Sequence, residues 1–287
     1  MSCSQYQAFL SCEAAAMAKL HGLHTPKETE ALLVGNYVHT ALESDEAHEA
    51  FIVAHTFDIY TTKVSKVTGD VTITGKRAAY AQADNIIHIY QTDPTFQKIL
   101  LMDGECEKIM TGTLYGIPWK IRLDKYIPES RMIIDYKTSA DLTKTAWNPE
   151  AGEKECFLET LGYLMRAAIY SEIEKQNTGS SEDPPFVILA VSKQDPPDRG
   201  AYLLNHRQRY DYELQIVEEK IKRIKEVRRG FVKPRRCGHC EWCRRTKKIT
   251  KIVPYYTIKP GFTDPKEEEY DDIFATYMED AQASREL

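Results

Sequence analysis

The sequence lacks any apolar run near the roughly 18 residues that a membrane helix needs, so no membrane span is expected. The opening MSCSQYQAFLSC has no basic stretch followed by an apolar one, so no signal peptide is expected and a cytoplasmic location is. No internal repeat and no extended low-complexity segment occurs. A disulfide framework is missing too, since the cysteines are spread unevenly for one. Cys3 and Cys12 stand near the start, Cys106 and Cys156 stand alone, and Cys237, Cys240 and Cys243 crowd together. The crowded group has the spacing of metal ligands; Cys3, Cys106 and Cys156 read as ordinary residues. Net positive charge is also missing. The formal charge is -5, which taken alone argues against a polyanionic partner.

What is present can build a sizeable core: 287 residues, 42% hydrophobic and 28% charged, with a mean hydropathy of -0.48. The net charge hides a strong asymmetry. From Lys220 to Lys251 a dense run of bases, Arg228, Arg229, Arg235 and Arg236 among them, faces only Glu226 and Glu241. The tail after Asp264 is acidic. A local field of this kind, more than net charge, attracts a polyanion. The expected organisation is a single α/β domain over 1–255, which includes the basic and cysteine-bearing segment 220–251, and an acidic tail over 256–287. The tail reads as solvated disorder or a partner-docking segment.

Helical spacing predicts a helix over Ser4–His21 and another from about Pro26 to Leu42. The second start is marked by Thr25 as cap, Pro26 and Glu28, and the helix carries Gly35 in its interior, which asks for a packing reason. One or two helices fit Gly75–Leu101. LYGIPWKIRLDKYI then alternates with period two, and RMIIDYKT follows a turn at Pro128, Glu129 and Ser130, giving two paired strands. A helix over Lys154–Gln176, a loop over Asn177–Pro185, a buried strand FVILAV and a long charged helix over Tyr210–Arg229 complete the chain. This order implies a central mixed β-sheet flanked by helices.

The hairpin holds the chemistry. Residues two apart on a strand share a side, so Asp135 and Lys137 are neighbours while Tyr136 faces away. Asp124, across the turn, can reach the same face. Two carboxylates meeting at one point hold a hard divalent cation such as Mg2+ or Mn2+. The adjacent lysine can orient a water or steady the charge of a phosphoryl transition state. The run MII before Asp135 reads as a buried strand, where unpaired charge is costly.

These residues resemble the PD-(D/E)XK nucleases, and most closely the phage and RecE-like exonucleases of the RecB type, whose core is the restriction-endonuclease fold. The resemblance rests on Asp124 followed by Asp135-Tyr136-Lys137-Thr138, and on further stretches in the same order: the helix Gly35–Glu43 with its histidine, Gly104-Glu105-Cys106-Glu107, the helix Tyr163–Tyr170, and FVILAVSKQDPP. It covers roughly Ser4 to Pro197 plus the cysteine cluster. It implies that Asp124, Asp135 and the Tyr136 carbonyl are metal ligands, that Lys137 is the catalytic lysine and that His39 is a ligand or near-ligand. Glu107 is a further candidate ligand, with Glu105 as its alternative. Tyr163, Arg166 and Tyr170 would meet DNA; Arg166 stands where many members have glutamine, and could grip phosphate instead. Asp135 stands where many members have glutamate.

Cys237, Cys240 and Cys243 need a fourth partner to close a tetrahedral site. In RecB-type nucleases with an iron-sulfur cluster, such as the AddB proteins and the CRISPR-adaptation nucleases, that partner is a distant upstream cysteine, and Cys12 stands at the matching place. The family's third C-terminal cysteine lies further along, nearer Thr246. A zinc site using the three cysteines with Cys12 or His239 therefore remains open beside the iron-sulfur cluster.

The resulting expectation is a Mg2+-dependent exonuclease of linear double-stranded DNA, serving recombination or repair and of phage derivation, with the basic segment tracking phosphates. The resemblance also implies a ring-shaped homo-oligomer and a single-strand annealing partner. The alternatives are an iron-sulfur nuclease of the CRISPR-adaptation or AddB type, and a non-catalytic zinc-containing DNA-binding protein.

Overall fold

The computed structural model describes residues 1–149, 152–249, 252 and 255. The chain divides into two compact units, Met1–Arg235 and Arg236–Leu287. That division falls inside the basic segment expected over 220–251, and the acidic tail expected over 256–287 lies outside the described residues.

The first unit opens with α1 (Cys3–Ser11), capped by Ser2 and Gln5 in a capping box, and α2 (Glu13–Leu20). The single helix expected over Ser4–His21 is thus two. Cys12 between them is extended, because the start of α2 is tied to the far end of the unit: Glu13 accepts from Arg223 and from the Arg235 amide, and the Ala14 amide donates to the Arg235 carbonyl. α3 (Glu30–Glu43) starts at Thr29, whose hydroxyl accepts from the Leu32 amide, and not at Thr25. Gly35 has no packing reason, since a Cβ there would meet nothing within 4 Å. α4 (Asp45–Ala54) and α5 (Thr56–Ile59) lead into a hairpin of β1 (Tyr60–Val64) and β2 (Val71–Lys76), which claims Gly75 from the helix expected there. α6 (Ala78–Thr92) and α7 (Pro94–Leu100) follow, the latter with Asp93 as cap and Pro94 in its first turn.

β3 (Glu105–Leu114) and β4 (Ile117–Ile127) form a hairpin. The run LYGIPWKIRLDKYI is therefore not one strand. Tyr115 and Gly116 both have positive φ, the requirement of a two-residue turn that matches strand twist. β5 (Met132–Ser139) comes next, then a small ribbon of β6 (Ala146–Asn148) and β7 (Glu153–Glu155). The helix expected over Lys154–Gln176 is broken: α8 (Phe157–Thr160) ends at a left-handed Gly162, and α9 (Tyr163–Thr178) runs past the expected end to a left-handed Gly179. β8 (Phe186–Ser192), β9 (Arg199–Leu204) and α10 (Arg207–Arg228) complete the unit.

The central sheet has five strands in the order β3-β4-β5-β8-β9; β5 and β8 are parallel and the other pairs antiparallel. The expected mixed α/β core is what forms. One face is covered by α1, α9 and α10 around Trp119, Tyr6, Ile169 and Ile221; the other by α3, α6 and α7 around Tyr37, Tyr80, Ile86 and Phe96. The second unit, among its described residues, holds the short α11 (Glu241–Arg245).

Candidate active site

β4 and β5 pair only from Ile127 and Met132 to Lys125 and Ile134. Beyond that point the register ends and a fork opens. Asp124 stands at the fork, and its Oδ2 accepts the Tyr136 amide at 2.9 Å, replacing the lost ladder bond. The in-out alternation of β4 also breaks here: Leu123 and Tyr126, three residues apart, both join the α9-side core. Opposite Asp124, Glu107 is left out of the β3–β4 register and adopts a φ of 53°, a left-handed backbone rare for a side chain. This irregularity lets Asp124 share a site with Asp135 and Lys137 of β5.

Asp124, Asp135 and Lys137 do come together. The Lys137 ammonium lies 2.5 Å from Asp135 Oδ2 and 3.7 Å from Asp124 Oδ2, and it donates to the Tyr136 carbonyl at 2.9 Å. Three oxygens expected to bind a metal thus converge on one cationic group. His39 Nδ1 is 3.5 Å from Asp124 Oδ2, and Arg166 Nη1 is 3.5 Å from Asp135 Oδ1. Asp135 is 3% exposed, and its Oδ2 makes no hydrogen bond of good geometry among the described residues beyond the ion pair with Lys137.

The electrostatics follow from burial against charge. Burial pushes the Asp124 carboxyl up, but Lys137, the Tyr136 amide and Arg166 together hold it below the ordinary carboxylate value. Burial also works against the Lys137 ammonium, yet Asp135 and Asp124 outweigh it and raise its pKa. Lys137 is therefore a fixed cation at neutral pH. Burial lowers His39 despite Asp124, so its ring is neutral and can offer a lone pair. The donor set fits a hard divalent cation: two carboxylates and a carbonyl, with a neutral imidazole beside them.

Asp124, Lys137, His39 and Arg166 line a cavity of about 790 Å³ together with Asn36, Glu43, Lys120 and Arg122. Glu107 faces it and pairs with Arg122 at 2.8 Å; burial raises its carboxyl. The alternative, Glu105, pairs instead with Lys108 at the surface. Tyr170 lines the cavity and donates to the Arg122 carbonyl, while Tyr163 lies under both Lys137 and Arg166, with its ring centre 5.6 and 5.8 Å away. Arg228, Arg229 and Arg235 do not line this cavity. Within the second unit Arg236 is occupied by the Cys243 carbonyl and the Thr246 hydroxyl.

Two residues at the site escape sequence reading. Tyr90 is fully buried on α6, and its hydroxyl lies 2.7 Å from the Leu189 carbonyl, 3.0 Å from the Lys137 carbonyl and 3.2 Å from the Lys137 amide it accepts. It fastens the backbone that carries Lys137, yet in sequence it is one more aromatic on an apolar helix face. Cys3 lines the cavity, with burial pushing its thiol up to about 12, so it is a neutral wall group.

With this geometry in place, comparison with known proteins decides the family. Residues 2–246 match the family described as "PDDEXK-like domain of unknown function (DUF3799)". The chain belongs to the DUF3799 family of PDDEXK-like domains. A crystal structure of a "Putative exonuclease" from Eubacterium rectale is similar to this PDDEXK-like chain, with a TM-score of 0.80 and 32% identity over 91% of this chain and 93% of that one. A second structure, of SSO0001, aligns only at a TM-score of 0.31 and 13% identity over 91% of this chain and 96% of its own. No curated protein matches. The fork between β4 and β5 is thus part of a PD-(D/E)XK superfamily core. No helix among the described residues of this DUF3799 chain is long and apolar enough to cross a membrane.

Within the second unit the sulfurs of Cys237, Cys240 and Cys243 lie within 4.8 Å of one another, a group able to hold a metal. The chain turns around them: the Cys240 amide donates to Cys237 Sγ and the Cys243 amide to Cys240 Sγ. His239 turns its Nδ1 to the Cys237 carbonyl at 2.9 Å. In the first unit Cys12 is buried, with its Sγ 3.9 Å from the Arg235 carbonyl, the last residue of that unit.

Proposed function

We propose that the protein is a metal-dependent deoxyribonuclease that degrades linear double-stranded DNA from its ends. The observation that supports this most is the convergence of Asp124, Asp135 and the Tyr136 carbonyl on the single cation of Lys137. Family membership and the exonuclease description of the Eubacterium rectale structure favour the same reading. Asp124, Asp135 and the Tyr136 carbonyl would hold Mg2+ or Mn2+, with Glu107 and His39 as further candidates. Such an ion, when bound, supplies Lewis-acid polarisation of the phosphate and a water of lowered pKa.

The chain's own residues do the rest. Lys137 keeps its positive charge and sets it beside the oxygens of the phosphate under attack. Arg166, whose buried Nε has no hydrogen-bond partner among the described residues, offers a second cationic contact and holds Asp135. His39 orients Asp124, Tyr163 backs the two cations, and Tyr170 stands beside the strand. Arg228, Arg229 and Arg235 would meet the DNA backbone away from the cavity, and Arg236 of the second unit would be a further backbone contact.

The finer role is recombination or repair in the cytoplasm, of phage derivation, with a RecE-like ring and a single-strand annealing partner. The nuclease domain is taken to extend to residue 255. Cys237, Cys240 and Cys243 would bind an iron-sulfur cluster, for which the resemblance implies Cys12 as fourth ligand, or zinc, with Cys12 or His239 as fourth ligand. A cluster would favour the AddB-like or CRISPR-adaptation kind of enzyme. The test is Mg2+-dependent digestion of end-labelled linear duplex beside a closed circle of the same sequence. Loss of label from the linear DNA with the circle intact is expected; equal attack on both would contradict action from ends. DNA binding without any cleavage would leave a binding module.

A further inference from the structure

Beyond the fork, β4 carries a second polar series. Trp119, Ile121 and Leu123 point into the core under α9, so the residues between them, Lys120 and Arg122, point to the other face. Asp124 comes next in this series. The register sets Thr111 beside Lys120 and Ile109 beside Arg122, and Ile109 is 50% exposed, so no helix covers the face at that point. Both bases line the cavity that contains Asp124 and Lys137. Among the described residues Lys120 has no acidic partner, and Arg122 spends its Nε on Glu107.

We propose that the open face of β4 is a binding track for one strand of the DNA substrate, on which Lys120 and Arg122 take successive backbone phosphates and deliver the next to Asp124. The spacing suits the task. Side chains two apart on a strand are separated by about 6.6 to 6.8 Å, close to the step between neighbouring phosphates of an extended nucleic-acid strand. A basic groove that follows the backbone is also how single strands are held without regard to sequence. Thr111 adds a hydroxyl donor beside Lys120 and Ile109 a small apolar surface for a sugar or base. The Arg122–Glu107 pair places the terminal guanidinium nitrogens toward a ligand and keeps the carboxylate of Glu107 from repelling it. The track joins the cleavage site, unlike the basic end of α10, so it governs how a strand is threaded. This inference rests on the nuclease reading above and adds a substrate path to it.

The test measures binding of a short fluorescent duplex with a single-stranded overhang to the full chain, with calcium in place of magnesium and across a range of salt. Magnesium-dependent cleavage by the wild type is measured alongside. Lys120→Ala and Arg122→Ala should each weaken binding several-fold at low salt and each flatten the slope of log Kd against log salt by about 0.7 to 0.9, one phosphate's share. Arg122→Lys should keep the slope. Lys98→Ala, an exposed lysine on α7 outside the cavity, should change neither quantity. If the wild type binds and cleaves while Lys120→Ala and Arg122→Ala bind no worse than Lys98→Ala, the track is overturned and the nuclease reading stands. If the wild type neither binds nor cleaves, the nuclease reading falls and the track falls with it.

Discussion

Lys137 is buried among acids that raise its pKa, while Asp124 is held ionised by Lys137, the Tyr136 amide and Arg166. Each charge is stable only because the others are there, as buried ions require. A divalent cation would therefore compete with the ammonium for the same oxygens, which gives Lys137 a reason to move toward the phosphate when metal binds. Tyr90 limits that movement to the side chain, because its hydroxyl fixes the Lys137 backbone. Tyr90→Phe strips a partner from the buried Lys137 amide and should cost about 1 to 3 kcal/mol of stability. If Tyr90 positions Lys137, kcat should fall with KM unchanged; KM rising at constant kcat would contradict it. Nothing in the sequence marks Tyr90, since its contacts come from residues 47 and 99 positions away. The pattern of Asp124, Asp135 and Lys137 was legible because strand periodicity places two of them and the turn limits where the third can be.

At the scale of elements, the sheet was readable where local chemistry is decisive and obscure where distant partners are. FVILAV reads as a buried strand and is one, β8. α10 shows its apolar stripe at Tyr210, Leu214, Val217, Ile221 and Ile224, and begins close to the expected place. The break at Cys12 has no such signal, because no proline or glycine marks it; the cause is Glu13 reaching Arg223 and Arg235 more than 200 positions on. Tyr115-Gly116 and Gly162, by contrast, are turn signals that a helix- or strand-length run can hide. Two predictions belong here. Gly35→Ala fills open space in a helix and should stabilise the protein by about 0.5 to 1 kcal/mol in denaturant unfolding. Burial pushes the Glu13 carboxyl up, but Arg223 and the Arg235 amide pull it below its ordinary value. Its contribution to stability is thus fully present above the unfolded carboxyl pKa of about 4.3 and is lost as pH falls through the lower folded value. The stability gap between wild type and Glu13→Gln should be widest near neutral pH and close on acidification; a gap independent of pH would count against this pairing.

For the whole molecule, the question is how a chain of net charge -5 would handle the polyanion proposed as its substrate. Charge is partitioned. Bases gather along β4, at the fork and at the end of α10, and several bases of the run from Lys220 are engaged within the protein: Arg223 holds α2, and Arg236 holds the cysteine loop of the second unit. The three cysteines of that unit could hold a metal, and loss of such a metal would loosen the loop. Elemental analysis of the purified protein should find zinc or iron at this site, visible absorption should distinguish an iron-sulfur cluster from zinc, and Cys240→Ser should lose the metal. Retention of a full complement by Cys240→Ser would contradict the assignment.

The central claim is that the fork between β4 and β5 cuts phosphodiester bonds. Single-turnover digestion of linear duplex in Mg2+ tests it most directly, with wild type and Lys137→Ala at matched DNA occupancy. The variant should bind DNA but cleave it more slowly by about 10² or more, the scale of losing a preorganised charge at the transition state. Cleavage by Lys137→Ala at the wild-type rate would contradict the account.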